Sequence, residues 1–170
     1  IYDLKTPNYS ETNLTSNPFG IRIQSGIDHK IYYNSVNLFG EQIPTGTSGT
    51  LSAALMINNT NPAPTGLDIR NNVFANSLTG LTGSNSYAIY SQVPAVNFTS
   101  IDYNDYYASG TYGVLGFLGS NINTLLEWQT ATGLDGNSLS SDPMYEEDYP
   151  LYIDIISPVI GEGIYLDSYT

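Results

Sequence analysis

The chain has 170 residues, 16 acidic and four basic side chains, a net charge of −12 and no cysteine. Too few cations are present to replace counterions on nucleic acid or to hold the chain on an anionic membrane, and disulfides and thiolate metal sites are excluded. No apolar run is long enough to cross a bilayer, and the 15 Tyr and 16 Gly, with many Asn, Ser and Thr, favour strands and turns over helix.

The opening Ile1-Tyr2-Asp3-Leu4 reads as the end of an earlier coil, so a fragment of a longer protein is expected. A polar loop with Pro7 and Pro18 follows. Gly20-Ile21-Arg22-Ile23 then alternates as a strand with one buried face does. Ser25-Gly26 turns the chain, and Ile31-Tyr32-Tyr33-Asn34-Ser35-Val36 forms a second strand, giving a first coil over 20–40. Thr45 to Thr50 is a loop by composition. A second coil, 51–76, holds Ala54-Leu55-Met56-Ile57, a loop with Pro62 and Pro64, and Ile69-Arg70-Asn71-Asn72-Val73-Phe74. A third, 87–110, holds Tyr87-Ala88-Ile89-Tyr90 and Ile101-Asp102-Tyr103-Asn104-Asp105-Tyr106.

The second segments share one pattern: Ile, two variable residues, Asn, one variable residue, then a large apolar residue. The copies start 38 and then 32 residues apart, a period that signals a repeat architecture. Two short strands per repeat predict an all-β solenoid, a parallel β-helix over residues 1–170. Equivalent residues then stack about 4.8 Å apart. Asn34, Asn72 and Asn104 are predicted to form a structural ladder, because stacked amides supply each other with donors and acceptors. Ile31, Val36, Leu67, Ile69, Phe74, Ile101 and Tyr106 are the predicted core.

Tyr112 to Phe117 is a further apolar segment. Thr124 and Glu127 have capping-box spacing and Gly133 is a helix stop, which predicts one short helix over 124–131 anchored by Trp128, the only Trp. The tail, with Asp142-Pro143-Met144 and Ser157-Pro158-Val159-Ile160-Gly161, predicts a degenerate capping coil over 140–165 that covers the apolar end.

The stacking register puts Tyr32, Arg70 and Asp102 in one outward column. Arg70 and Asp102 are expected to pair as a surface ion pair worth about 0–1 kcal/mol. No catalytic residue and no cofactor are predicted. Calcium is the ion that the acidic side chains could bind, with Asp102 and Asp105 the candidate ligands, too few for a full oxygen shell. His29, the only His, lacks a nucleophile motif and reads as part of a turn. Asp135-Gly136-Asn137 has only part of a calcium-loop pattern. Glu146-Glu147-Asp148 reads as a solvated charge run. Asn8, Asn13, Asn58 and Asn97 open glycosylation sequons that matter only in a secretory host.

The stretches Ile31–Asn37, Leu67–Asn76, Ile101–Gly110, Leu126–Gly133 and Asp142–Gly163 resemble the right-handed parallel β-helix repeats of large surface or secreted proteins of Bacteroidetes-type bacteria. Such proteins often carry a type IX secretion signal. The resemblance implies an extracellular or cell-surface location and further domains in a longer parent chain. The function expected is a non-enzymatic module: an adhesin, a stalk or a carbohydrate-contacting surface. Its partners would be carbohydrate, other surface components and its own flanking domains, with no nucleic acid and no membrane insertion. The alternative is a β-helix polysaccharide lyase or glycoside hydrolase acting on acidic polysaccharide, with Arg70 as the basic residue beside a calcium-binding Asp102. The Asn-Thr-Asp and Gly-His-Gly signatures of polygalacturonases are absent.

Overall fold

The computed structural model describes residues 17–41, 51–79, 85–146 and 151–167. Ile1 to Leu4, the Pro7 loop, Asn8, Asn13, most of the 41–50 loop, Glu147 and Asp148 lie outside them. The described residues are mostly strand, arranged in parallel sheets, with one α-helix.

The chain visits three sheets in the same order three times. The first pass is β1 (Phe19–Ile23), β2 (Lys30–Tyr32) and β3 (Ser35–Leu38). The second is β4 (Leu51–Ile57), β5 (Leu67–Arg70) and β6 (Val73–Asn76). The third is β7 (Asn85–Ser91), β8 (Phe98–Asp102) and β9 (Asp105–Ala108). Each strand pairs in parallel with its counterpart in the next pass. β10 (Gly113–Leu118) adds in parallel to β7, and β11 (Asn121–Ile122) closes that sheet antiparallel to β10.

Each pass therefore has three strands where the periodicity predicts two. The predicted second strand is bent within the shared pattern. Tyr33, Asn71 and Tyr103, the residues just before the patterned Asn, adopt left-handed backbone with φ of 55°, 59° and 56°. An extended segment cannot continue through that conformation, so the chain turns a corner and a new sheet begins. Non-glycine residues reach this region at a cost in backbone strain, here offset by the hydrogen bonds of the Asn that follows.

The core lies between the sheets. Ile31, Ile69 and Ile101 are register partners, as are Val36, Phe74 and Tyr106. All except Ile31 are buried; Ile31, in the first pass, is half-buried against the cluster. Leu67 is buried too, and Asp68 and Arg70 alternate with it toward the outside.

α1 (Leu125–Thr132) forms where the capping spacing predicts it, one residue later at each end. The Thr124 hydroxyl accepts from the Glu127 N–H, the Glu127 carboxylate accepts from the Thr124 N–H, and Gly133 closes the helix at φ 70°. Trp128 is fully buried and continues the aromatic column: the Phe74 and Tyr106 rings are 6.1 Å apart and those of Tyr106 and Trp128 6.0 Å apart. Room for the indole comes from Gly116. In the inward row of Leu55, Ile89 and Gly116, a Cβ at the last position would lie 2.9 Å from Trp128.

The end of the stack is covered differently from the sequence expectation. α1 packs on β10 and β11. Residues 134–141 then lie along the third pass: Asp135 N–H donates to Ile101 O at 3.0 Å, and Leu139 N–H donates to Asn104 O at 2.7 Å. The tail, 151–167, forms no named strand. It runs beside the corners of the first two passes, where Tyr33 Oη and Asn71 Nδ2 donate to Ile164 O at 3.1 and 2.8 Å. The reason is chemical: Trp128 and the 134–141 backbone meet the apolar and hydrogen-bonding needs of the third pass, while the tail leaves Ile155 89% and Ile156 72% exposed.

Candidate functional site

The patterned asparagines form one column at the corners. Asn72 Oδ1 accepts from both the N–H and the Nδ2 of Asn34 at 3.0 Å. Asn104 Oδ1 accepts from the same two groups of Asn72 at 3.1 and 2.9 Å. The Nδ2 groups also donate to neighbouring oxygens: Asn34 to Tyr32 O, Asn72 to Ile31 O and Arg70 O, and Asn104 to Ile69 O and the Tyr106 hydroxyl. Each of the three amides is engaged within the fold, which is what a structural ladder requires.

The column has a fourth member that periodicity in Asn does not find. Ser138 Oγ accepts from Asn104 N–H at 2.8 Å, where a further Asn oxygen would sit. Ser138 in turn donates to Asp135 Oδ1, in a short contact. Asp135 Oδ2 also accepts from Tyr106 Oη at 2.7 Å and Trp128 Nε1 at 2.6 Å. A carboxylate only accepts, so it is a natural terminus for a chain of donors. Burial pushes its pKa up, and these three bonds oppose that. Asp135 is a buried structural hub here, far from the open geometry of a calcium loop.

Tyr32, Arg70 and Asp102 do occupy one outward column, but Arg70 and Asp102 do not pair. Arg70 Nε and Nη2 donate to the two oxygens of Asp68, both at 2.6 Å. Nη2 also donates to Tyr32 Oη at 3.2 Å, the guanidinium lies 5.2 Å from the Tyr32 ring centroid, and Tyr32 Oη donates to Asp68 in a short contact. Asp68 and Arg70 are two residues apart on one strand face, so the planar fork meets the carboxylate along both oxygens. Asp68 holds the guanidinium pKa above its usual range. Asp102 instead accepts from Asn137 N–H at 2.7 Å and Asn137 Nδ2 at 2.8 Å. The predicted lyase pair is thus two separate, locally satisfied clusters. The alternation Asp68-x-Arg70 was the signal for the true partner.

Asp105 does not join Asp102 in a metal site. It is buried, and Ser141 N–H donates to its Oδ1 at 2.9 Å. Desolvation raises its pKa to about 6. Among the described residues no group of three His, Asp or Glu side chains gathers closely enough to hold a metal ion. His29 bonds to the Ser25 carbonyl at 2.7 Å within its turn. Asn58 is buried and accepts from Arg22 Nε at 2.7 Å, and Asn97 Nδ2 donates to Pro64 O at 2.7 Å. Both sequon side chains are therefore committed to the fold.

A polar and aromatic groove lies over β3, β6 and β9. Asn37, Ala75 and Tyr107 are register partners one residue past the core column, the first two buried and Tyr107 half-buried. Together with Phe39, Ser77, Ser109, Asp142, Tyr145 and Glu146 they frame a groove of about 300 Å³, lined by all of these except Ala75. Tyr107 Oη donates to Asp142 Oδ2 at 3.0 Å, which fixes the ring beside a carboxylate. Tyr145 lies on the segment after the fourth column member, and its hydroxyl is 2.5 Å from Ser35 Oγ. Burial pushes the Tyr145 pKa up to about 12. Among the described residues no basic side chain lines the groove. Sequence reasoning missed it because its walls come from distant stretches.

No family model matches the chain, and no curated protein and no solved structure matches it.

Proposed function

We propose that the chain is a module of a right-handed parallel β-helix, extracellular or at a cell surface, that contacts carbohydrate and catalyses no reaction. Support for the solenoid comes from the three passes in common register, the amide column and the aromatic column. The observation that carries the carbohydrate reading is the groove over β3, β6 and β9. Rings of Phe39, Tyr107 and Tyr145 offer apolar faces to sugar C–H surfaces, and Asp142 and Glu146 offer partners to hydroxyls. The lining holds carboxylates and no cation, which repels acidic polysaccharide and favours neutral sugars.

A lyase needs positive charge free to meet its substrate and the developing oxyanion. Arg70 is bound to Asp68 and Tyr32, which weighs against that reading. The test is a glycan array followed by calorimetry on the best binders. Neutral glycans should bind, and Tyr107→Ala should weaken them roughly tenfold or more. Binding restricted to acidic glycans, or unaffected by Tyr107→Ala, would sink the proposal. Calcium-dependent release of unsaturated oligosaccharides, lost in Arg70→Ala, would establish the lyase instead.

A further inference from the structure

A second cleft, of about 140 Å³, lies between the corner column and the tail. Its walls include Tyr33 and Tyr103 from the corners, Asn137, Glu162 from the tail, and Asp105. Asp105 is only 3% exposed, and its Oδ2 has no hydrogen-bond partner. That is unusual, because a buried ionised oxygen left unpaired costs several kcal/mol in typical cases, so such groups are nearly always satisfied. The passes on either side offer no donor to it: its register partner is Val73 and its bridge partner is Leu139, both apolar. The charged and titratable groups around it are Tyr107 on its own strand, Asp142 and Tyr145 on the segment beyond Ser141, Tyr33 and Tyr103 at the corners, and Glu162 on the tail. None is a cation.

We propose that this cleft takes a small alkylammonium group, seated on the Asp105 carboxylate between Tyr33 and Tyr103. An ammonium brings the donor and the positive charge that Asp105 lacks. Tyrosine faces attract cations, and Glu162 adds a second negative charge at the rim. Two carboxylates serve calcium poorly, since that ion takes six to eight oxygens. The volume admits one pyranose ring or the end of a lysine side chain. The tail forms the cover, held by Asn71, which bonds both the N–H and the carbonyl of Ile164. The ammonium could belong to an amino sugar or to a lysine, and the chemistry at Asp105 is the same. This proposal does not rest on the carbohydrate reading of the groove over β3, β6 and β9.

The test is titration of the ¹⁵N-labelled chain with glucosamine, with Nα-acetyl-lysine and, as the uncharged control, with N-acetylglucosamine. The Ser141 amide, bonded to Asp105, is the reporter. At about pH 7 one of the two amines should shift it saturably, and which one does identifies the source of the ammonium. Affinity should fall roughly tenfold or more at about pH 5, where Asp105 is protonated, and in Asp105→Asn. Glu162→Gln, at an exposed site that should not disturb folding, should weaken binding by about threefold. No shift with either amine, equal binding of N-acetylglucosamine, or unchanged affinity in both Asp105→Asn and Glu162→Gln overturns the proposal.

Discussion

The middle of the stack and its C-terminal end meet the same need with different chemistry. In the first three passes, neutral amides bond to one another, from Asn34 to Asn72 to Asn104. At the end, a hydroxyl and a carboxylate take over, from Asn104 to Ser138 to Asp135. An amide both donates and accepts, so it can pass a chain of hydrogen bonds to the next pass. Asp135 only accepts, so it can close the chain. It also ties in Tyr106 and Trp128, the last two rings of the aromatic column. The polar and apolar columns thus end on one residue, and a repeat without a successor is completed by changing residue type.

The comparison can be broken most forcefully at its end. Trp128→Ala empties a fully buried site and removes a donor to Asp135. A loss of about 4–6 kcal/mol is expected in denaturant unfolding, at or above the 3–5 kcal/mol of Phe74→Ala, which removes a ring from mid-column. A smaller loss for Trp128→Ala would mean that the terminal hub contributes little beyond packing.

Breaking the middle should cost less. Asn72→Ala removes the acceptor for two Asn34 groups and the donors to Ile31 O and Arg70 O. A destabilisation of about 2–4 kcal/mol is expected. Asn72→Ala within the error of the parent would show that water replaces the amide and that the column is not a stabilising element.

Asp105 sharpens the contrast, because it is a buried carboxylate that lacks the donors surrounding Asp135. Folding raises its pKa from 3.8 to about 6. The folded chain therefore holds the proton more tightly than the unfolded one. Its contribution is fully present below about pH 4 and is lost as pH rises through about 6. By neutral pH the loss amounts to about 2–3 kcal/mol. Asp105→Asn should flatten this part of the stability–pH curve and stabilise the chain at neutral pH. A melting temperature that rises between pH 4 and 6 equally in both proteins would contradict this assignment.

The smallest effect is expected on the outer face. Arg70 is part-exposed and paired along its own strand, so Arg70→Ala should change stability by under about 1 kcal/mol. Asp102, which bonds Asn137 and not Arg70, should keep its contacts in that variant. A double-mutant cycle between positions 70 and 102 with coupling well above about 0.5 kcal/mol would restore the pairing that the sequence implies.

What the sequence determined by itself is what repeats or what is local. The 38- and 32-residue offsets align Ile31 with Ile69 and Ile101, and Asn34 with Asn72 and Asn104. Alternation separates Leu67 and Ile69 inside from Asp68 and Arg70 outside. The helix could be placed to within a residue because its start and stop, Thr124 with Glu127 and then Gly133, act over a single turn each. Tertiary structure decided the rest. Ser138 takes the fourth place in the column, but a hydroxyl does not match a search for Asn. Arg70 had two carboxylates within reach of its column, and Asp68 won because its two oxygens match the guanidinium fork while Asp102 is held by Asn137. The corner residues Tyr33, Asn71 and Tyr103 split each predicted strand because extended backbone cannot run on through a left-handed residue. The unpaired oxygen of Asp105 is likewise invisible in the sequence, since it arises only when Val73, Leu139 and the tail close around it.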